Sequence, residues 1–208
     1  MQVRQSIILI IGIFLLCHAC SEEQTPKEIS ASVTNYLSLF PDQTNILMYS
    51  NFEALKQSPF GQALKVEFEE KIKEDHDDEE YRDFVEKTGL DVKKDIYEIW
   101  LGAEAQNGQD KEKNGGAIVR GKFDRKRMVD YFKKEHPDKF REETYREFEI
   151  YIIKQKHEEE LSFTFLNSET MALGSYFWLK TIIRQSQNQG AANVLSNPTM
   201  AKFIHDIP

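Results

Sequence analysis

The sequence predicts an α+β domain with an antiparallel or mixed sheet and helices packed on one face of it. Two observations support this prediction. Apolar and polar residues alternate over 147–152 and over 161–165, as they do in half-buried strands. In addition, three predicted strands lead through a small residue and an aromatic residue into a predicted helix, at 49–52, 120–123 and 174–177. A chain that repeats this step places several helices against one sheet.

Apolar spacing predicts the elements of the first half in order. Residues 29–40 carry a helical stripe that Pro41 ends, and the apolar run 46–49 predicts a buried strand. Apolar residues four apart over 60–72 predict an amphipathic helix. A further helix over 81–88 is expected to end at a glycine cap at position 89. Strands follow at 96–103 and 117–123.

The second half begins with a helix that Asp124 can cap. Strands at 148–152, 161–165 and 170–174 predict a three-stranded meander, and a helix carrying residues 179–183 follows it. Asn197 and Pro198 have the pattern of a helix start. The front portion of this order resembles a split βαβ, ferredoxin-like arrangement. Both tryptophans, Trp100 and Trp178, have apolar neighbours and are predicted to lie in the core.

Composition is that of a globular domain rather than of a disordered chain. Of the 208 residues, 40% are hydrophobic and 30% are charged, and the formal net charge is -8. The length is that of one domain. The acidic balance argues against a nucleic-acid surface, which needs clustered Lys and Arg, and against electrostatic binding to an anionic membrane.

Residues 1–19 differ from the rest of the chain. Arg4 and the amino terminus supply positive charge, residues 7–16 form an uncharged apolar run, and Ala19 is a small residue before a candidate cleavage point. This three-part pattern is typical of a secretory signal peptide. The apolar run is about half of the roughly 20 residues that a membrane-spanning helix needs, which argues against a permanent transmembrane anchor.

The stretch from Leu16 to Cys20 resembles the lipobox of bacterial lipoproteins. Ala19 precedes Cys20 as in that family, but Cys17 stands where the family usually has Leu. The resemblance implies that Cys20 is acylated, with palmitate-type chains, and holds the protein to a membrane. Ser21 resembles an outer-membrane sorting signal, which implies the periplasmic face of the outer membrane. An ordinary signal peptidase site is the alternative.

The predicted organisation is therefore a signal peptide at 1–19, a tether at 20–28 and a globular domain at 29–208. Cys17 and Cys20 are the two cysteines of the chain, so the mature domain has no disulfide framework and no cysteine nucleophile. Because a sheet of this kind usually continues after such a last helix, an incomplete domain or a truncated reading frame is one expectation, and a complete domain is the other.

Candidate chemical sites are few. His76 lies in an acidic run and could belong to a cation site, but a solvated charge run is the simpler interpretation. His157 lacks the second histidine of a zinc protease helix, because Leu161 occupies that position. We predict no metal, no cofactor and no catalytic residue. The one basic cluster could meet an acidic partner or could be an exposed helix start; its members are Arg120, Lys122, Arg125, Lys126 and Arg127.

These observations predict a lipid-anchored protein of the cell envelope, not an enzyme, whose domain binds or scaffolds. Its expected partners are the membrane, through the lipid on Cys20, and an envelope protein. Residues 39–42 and 58–60 are similar to segments of uncharacterised bacterial envelope proteins, a resemblance that implies no activity. Two alternatives stay open: a secreted hydrolase whose site forms only in the fold, and a small-ligand carrier with a pocket between sheet and helices.

Overall fold

A computed structural model describes residues 31–62, 78–104, 114–154, 160–187 and 192–205. The predicted signal peptide, the tether, Cys20, His76 and His157 lie outside these residues. The helices are α1 (Ala31–Leu37), α2 (Phe52–Gln57), α3 (Asp78–Thr88), α4 (Val92–Asp95), α5 (Arg125–Glu135), α6 (Tyr176–Ser186) and α7 (Pro198–His205), with a 3-10 turn at Val194–Ser196. Residues 59–62 are also helical, and the rest of the predicted stripe to 72 lies outside the described part.

The strands form a single seven-stranded sheet in the order β1-β2-β3-β7-β6-β5-β4. Every neighbouring pair is antiparallel. The α+β class with an antiparallel sheet is therefore confirmed. The strand bounds are β1 (Ile46–Asn51), β2 (Ile96–Ala103), β3 (Gly115–Gly121), β4 (Phe140–Tyr145), β5 (Phe148–Lys154), β6 (Glu160–Phe165) and β7 (Thr170–Gly174).

The helices pack on both faces of the sheet, so the prediction that they pack on one face is wrong. One hydrophobic cluster, which we call the tryptophan face, joins Trp100 and Ile118 to Trp178 and Leu179 of α6. The other, the phenylalanine face, joins Val119, Ile153 and Phe163 to Met128 and Val129 of α5. Neighbouring residues 118 and 119 point to opposite sides because side chains alternate along a strand. Both tryptophans are buried, at 0% and 2% exposure, as predicted.

The meander has four strands rather than the predicted three. The additional strand, β4, pairs with β5 and lies at one edge of the sheet. Its sequence, Phe-Arg-Glu-Glu-Thr-Tyr, carries three charges, which the edge position allows because half of its side chains are exposed and none is buried. Apolar alternation, which found the inner strands, is therefore weak in β4.

The front portion differs from a split βαβ arrangement. In that arrangement the two strands that flank the helix run parallel, with another strand between them. Here β1 and β2 are direct antiparallel neighbours, with Asn51 opposite Glu98. The chain leaves the sheet after β1 and re-enters it at the same end, and α2, α3 and α4 all lie in this connection. Gly89 ends α3 with a φ of 72°, as the sequence predicted.

Candidate functional site

The predicted anchor, Cys20, lies outside the described residues, so the structure brings no other group to it. Within the described ranges, every helix is too short or too polar to cross a bilayer. No group of three or more His, Cys, Asp and Glu side chains comes together there in a geometry that could hold a metal ion. A site must therefore be sought among the clefts, charge clusters and exposed apolar surfaces of the described domain.

The predicted basic cluster does not form one positive surface. Arg120 lies on β3 beside the tryptophan face, whereas Arg125 lies at the start of α5 beside the phenylalanine face. Four of its five cations already contact an acidic side chain or a carbonyl group: Arg120 with Glu98, Arg125 with Glu149, Lys126 with Asp130, and Arg127 with the carbonyl of Glu86. The cluster is thus divided among separate local contacts.

Three large apolar side chains are exposed together on the phenylalanine face, two on the edge strand β1 and one on its neighbour β2. Ile46 is 52% exposed, Met48 is 60% exposed and Leu101 is 41% exposed. Met48 lies opposite Leu101, which lies opposite Ala117, and Ala117 lies opposite Leu173. We call this surface the apolar corner. A groove of about 500 Å³ runs beside it. Its lining is mostly apolar, with two polar residues at one end: Ile46, Leu101, Ala103, Ala117, Leu173, adjoining glycines, Glu104 and Asn114.

The apolar corner is open because the helices of this face cover the neighbouring row of side chains. That row runs across the sheet from Ile99 through Val119 to Met171. It packs in the cluster that contains Met128 and Val129 of α5. Ile46, Met48 and Leu101 do not belong to that cluster. The apolar corner is therefore a continuation of the core surface beyond the helices that cover it.

The sheet beneath the apolar corner is packed without spare room on its other side. A Cβ atom built on Gly102 would lie 2.3 Å from Cδ1 of Phe40, and one built on Gly116 would lie 2.8 Å from Trp178. Glycine is needed at both positions because an aromatic ring lies directly against the backbone. The corner thus rests on a rigid part of the sheet rather than on a loop.

A second candidate is a cleft of about 470 Å³ between the start of α5 and the strands β5 and β6. Phe123 and Phe165 line it and meet edge to face, with ring centroids 5.9 Å apart. The guanidinium of Arg125 lies 5.8 Å from the ring centre of Phe165 and donates to the hydroxyl of Tyr151 at 3.0 Å. That hydroxyl donates to Oε2 of Glu149 at 2.6 Å. We call this the aromatic cleft.

The charges of the aromatic cleft are fixed at neutral pH. Burial raises the pKa of the Tyr151 hydroxyl, and its hydrogen bond to Glu149 raises that pKa further. The same hydrogen bond lowers the pKa of Glu149, and the neighbouring Arg125 lowers it too. The hydrogen bond to Tyr151 raises the pKa of Arg125. Since an efficient general acid or base has a pKa near the working pH, all three groups are shifted away from proton transfer.

A third cluster surrounds Glu98, which is 9% exposed near the start of β2, the strand next to the edge strand β1. Its carboxylate accepts from the Tyr49 hydroxyl at 2.8 Å and from Nε of Arg120 at 2.5 Å. The hydrogen bond to Glu98 raises the pKa of Arg120, and burial raises the pKa of Tyr49. Glu98 and Arg120 pair with each other within this cluster. The cluster therefore stabilises the start of β2 and leaves no unpaired charge to bind a ligand.

The comparisons with known proteins identify no relative: no family model, no curated protein and no solved structure matches this chain. The site residues therefore rest on the geometry alone. The prediction of a buried strand at 46–49 is correct as to the strand but wrong as to burial, because β1 is an edge strand and exposes Ile46 and Met48. Sequence reasoning missed Glu98, whose signal was a lone carboxylate within an apolar run.

Proposed function

We propose that this chain is a lipid-anchored protein of the cell envelope whose domain binds a protein partner and carries out no chemistry of its own. The apolar corner is the observation that supports the binding role. The resemblance of residues 16–20 to a lipobox supports attachment through Cys20, and Ser21 supports the periplasmic face of the outer membrane.

The binding role follows from the energetics of the apolar corner. Ile46, Met48 and Leu101 are exposed as neighbours rather than singly. Scattered exposed apolar residues are normal, whereas contiguous ones beside a groove mark interaction surfaces. Burial of such a side chain contributes about 1.5–3 kcal/mol. A partner that covers the corner therefore gains a substantial part of its binding free energy there.

The hydrolase alternative has less support. The aromatic cleft is lined by three charged residues, Arg125, Glu147 and Glu149, and no histidine lines it. Its carboxylate, hydroxyl and guanidinium have pKa values shifted away from neutrality. Such groups hold fixed charges and hydrogen bonds, which suit orientation of a bound group better than proton transfer.

A small-ligand carrier is the second candidate function, and the aromatic cleft favours it. Its volume of about 470 Å³ lies in the range of ligand sites. An aromatic sulfonate dye such as anilinonaphthalene sulfonate tests it, because its rings fit against Phe165 and its sulfonate fits Arg125. Binding in the cleft predicts a fluorescence increase that Arg125→Gln reduces and Leu101→Gln does not. The opposite sensitivity would place the dye at the apolar corner and would count against a carrier.

Intact mass of the protein isolated from membranes tests the anchor. We expect loss of residues 1–19 and a gain that corresponds to diacylglycerol, and we expect Cys20→Ala to abolish the gain. A chain that is cleaved without lipid, or that keeps its leader, would overturn the lipid anchor and leave a secreted or signal-anchored protein. The binding role would have to be judged separately in that case.

Photo-cross-linking in cells tests the binding role. The photo-reactive residue p-benzoylphenylalanine replaces Leu101 in the full chain, and a matched control places it at Lys126, which is 86% exposed on α5. We expect protein adducts at 101 and none at 126. Absence of an intermolecular adduct at 101 would contradict the proposal, and equal labelling at both positions would show only that both are accessible.

A further inference from the structure

The two edges of the sheet differ in how they are protected. Edge strands expose unpaired backbone groups, and proteins usually guard them with charged side chains. β4 is guarded in this way: Lys133 pairs with Glu142 at 2.6 Å, and Arg141 pairs with Glu143 at 2.7 Å and with Glu160 at 2.9 Å. β1, with the sequence Ile-Leu-Met-Tyr-Ser-Asn, has no charged residue. Within the described residues, β1 therefore contributes no charged side chain of its own to guard the second edge.

The outer side of β1 is open in the described part of the chain. β1 pairs with β2 over its whole length, and among the described residues it has no second strand partner. Asn45 continues the ladder, because its N–H donates to the carbonyl of Ala103 at 3.1 Å. β1 is thus held against β2 along its length, and its side chains Ile46 and Met48 are exposed on the phenylalanine face.

We propose that two copies of this chain associate through β1, antiparallel to each other, so that the sheet continues across both copies. The proposal rests on the proposed binding role of the apolar corner and names the partner of that surface. A two-fold axis perpendicular to the sheet would pass beside Met48, which would lie opposite Met48 of the second copy. Such an isologous interface is closed and self-complementary.

The register follows from the strand length and from side-chain alternation. Directly opposite residues in an antiparallel pair point to the same face, so a two-fold axis must place one residue opposite its own copy. Within 46–51, axes at Met48 and at Tyr49 each keep five residues of both strands paired. Only the axis at Met48 keeps the exposed Ile46 within the paired segment, opposite Ser50 of the other copy. We therefore choose Met48.

The charge distribution also favours a second copy at this edge. The chain carries a formal net charge of -8, so copies repel each other unless they meet at a neutral surface. β1 is neutral, and its self-pairing brings no like charges together. On the phenylalanine face the pairing places Leu101 and Met48 of one copy in one row with Met48 and Leu101 of the other, so the two apolar corners become neighbours and their side chains contact each other across the axis.

Single cysteines test both the partner and the register. The full chain is purified in detergent with Cys17→Ser and Cys20→Ser, which removes its own thiols. We expect Met48→Cys to form a disulfide-linked dimer on mild oxidation, because opposite Cα atoms lie about 4.5–5.5 Å apart. Ile46→Cys alone should not cross-link, since its two copies would lie about 13 Å apart along the strands. A mixture of Ile46→Cys and Ser50→Cys chains should give the mixed dimer.

Sedimentation equilibrium provides a measurement that does not depend on cysteine chemistry. Met48→Lys places two like charges at the axis and should weaken dimerisation by more than about tenfold. Thr144→Lys, on the guarded edge strand β4, is the matched control and should leave it unchanged. Both positions are exposed, and thermal unfolding of each variant checks that the fold is kept.

Two outcomes would overturn the proposal. One is a chain that stays monomeric at tens of micromolar and whose Met48→Cys form does not cross-link. The other is equal cross-linking of all three single-cysteine chains, which would indicate random collision. If Leu101 is photo-cross-linked in cells to a different protein while the Met48→Cys disulfide is absent, the binding role stands and the second copy is excluded as the partner.

Discussion

Arg120 and Arg141 each contact glutamates, but their ion pairs lie in different surroundings. The side chain of Glu98, the partner of Arg120, is only 12% exposed. The side chains of Arg141 and its two glutamate partners are 35–50% exposed. A buried charge that loses its partner cannot be resolvated by water, whereas an exposed one can. Breaking the Arg120–Glu98 pair should therefore lower the free energy of unfolding more than breaking the ion pairs of Arg141.

We predict that Arg120→Gln lowers the free energy of unfolding by about 3 kcal/mol, since it leaves Glu98 without its cation. Arg141→Gln, the matched control, should cost less than about 1 kcal/mol. Urea denaturation followed by circular dichroism measures both. Equal costs for the two substitutions would show that Glu98 is better hydrated than its burial indicates.

Glu149 links stability to acid pH. Its hydrogen bond from Tyr151 lowers its pKa below the ordinary value of 4.5. A carboxyl whose pKa is lower in the folded state stabilises the fold above the unfolded pKa, and this contribution is lost as the pH falls through the folded pKa. Glu149→Gln should therefore lower Tm at pH 7, and the difference from the parent should narrow below about pH 4. Glu147→Gln, in the adjacent turn, serves as the control; a pH-independent difference for Glu149→Gln would contradict this account.

At the scale of the elements, the three predicted strand-to-helix steps are confirmed, and each has a polar cap. Asn51, Asp124 and Ser175 accept a hydrogen bond from a backbone N–H in the first turn of α2, α5 and α6. These local signals were readable because capping depends on a few neighbouring residues. They set where each helix begins, and the strands before them set where the chain leaves the sheet.

The position of a strand in the sheet and the faces that helices cover depend on residues far away in the sequence, so local spacing did not predict them. The run at 46–49 reads as buried, yet β1 became an edge because no strand of the described chain lies beyond it. Residues 150–153, Ile-Tyr-Ile-Ile, place apolar side chains on both faces of the sheet, and such a run is the sequence signal of a strand covered by helices on two faces. The apolar corner and the aromatic cleft both arise from strand order, which spacing along the sequence does not encode.

The Asp124 cap gives an element-scale prediction. Its side chain accepts from the N–H of Arg127 at 3.0 Å, and its negative charge also suits the start of α5. We expect Asp124→Ala to lower the free energy of unfolding by about 1 kcal/mol. Asp124→Asn, which keeps the acceptor, should retain most of that stability. If both variants lose the same amount in thermal denaturation, charge rather than capping is the main contribution.

At the scale of the whole molecule, the sheet has one hydrophobic cluster on each face, and the same strands contribute side chains to both clusters. Trp100 and Trp178 both lie on the tryptophan face, so tryptophan fluorescence reports directly on that face alone. Met128, on α5, lies on the phenylalanine face and is 3% exposed. The strands β3 and β5 contribute side chains to both clusters, so neither cluster can be lost without exposing strands that the other needs.

This shared sheet predicts a single cooperative unfolding transition. Met128→Ala and Leu179→Ala each truncate a buried side chain, and each should lower the free energy of unfolding by about 2–5 kcal/mol. The two residues lie on opposite faces, so the costs should add to within about 0.5 kcal/mol in the double variant. In Met128→Ala, urea curves from tryptophan fluorescence and from far-ultraviolet circular dichroism should shift together, although the substitution is on the face without tryptophan. A shift in the circular dichroism curve alone would show that the two faces unfold independently, because the tryptophan cluster would then survive the loss of the other.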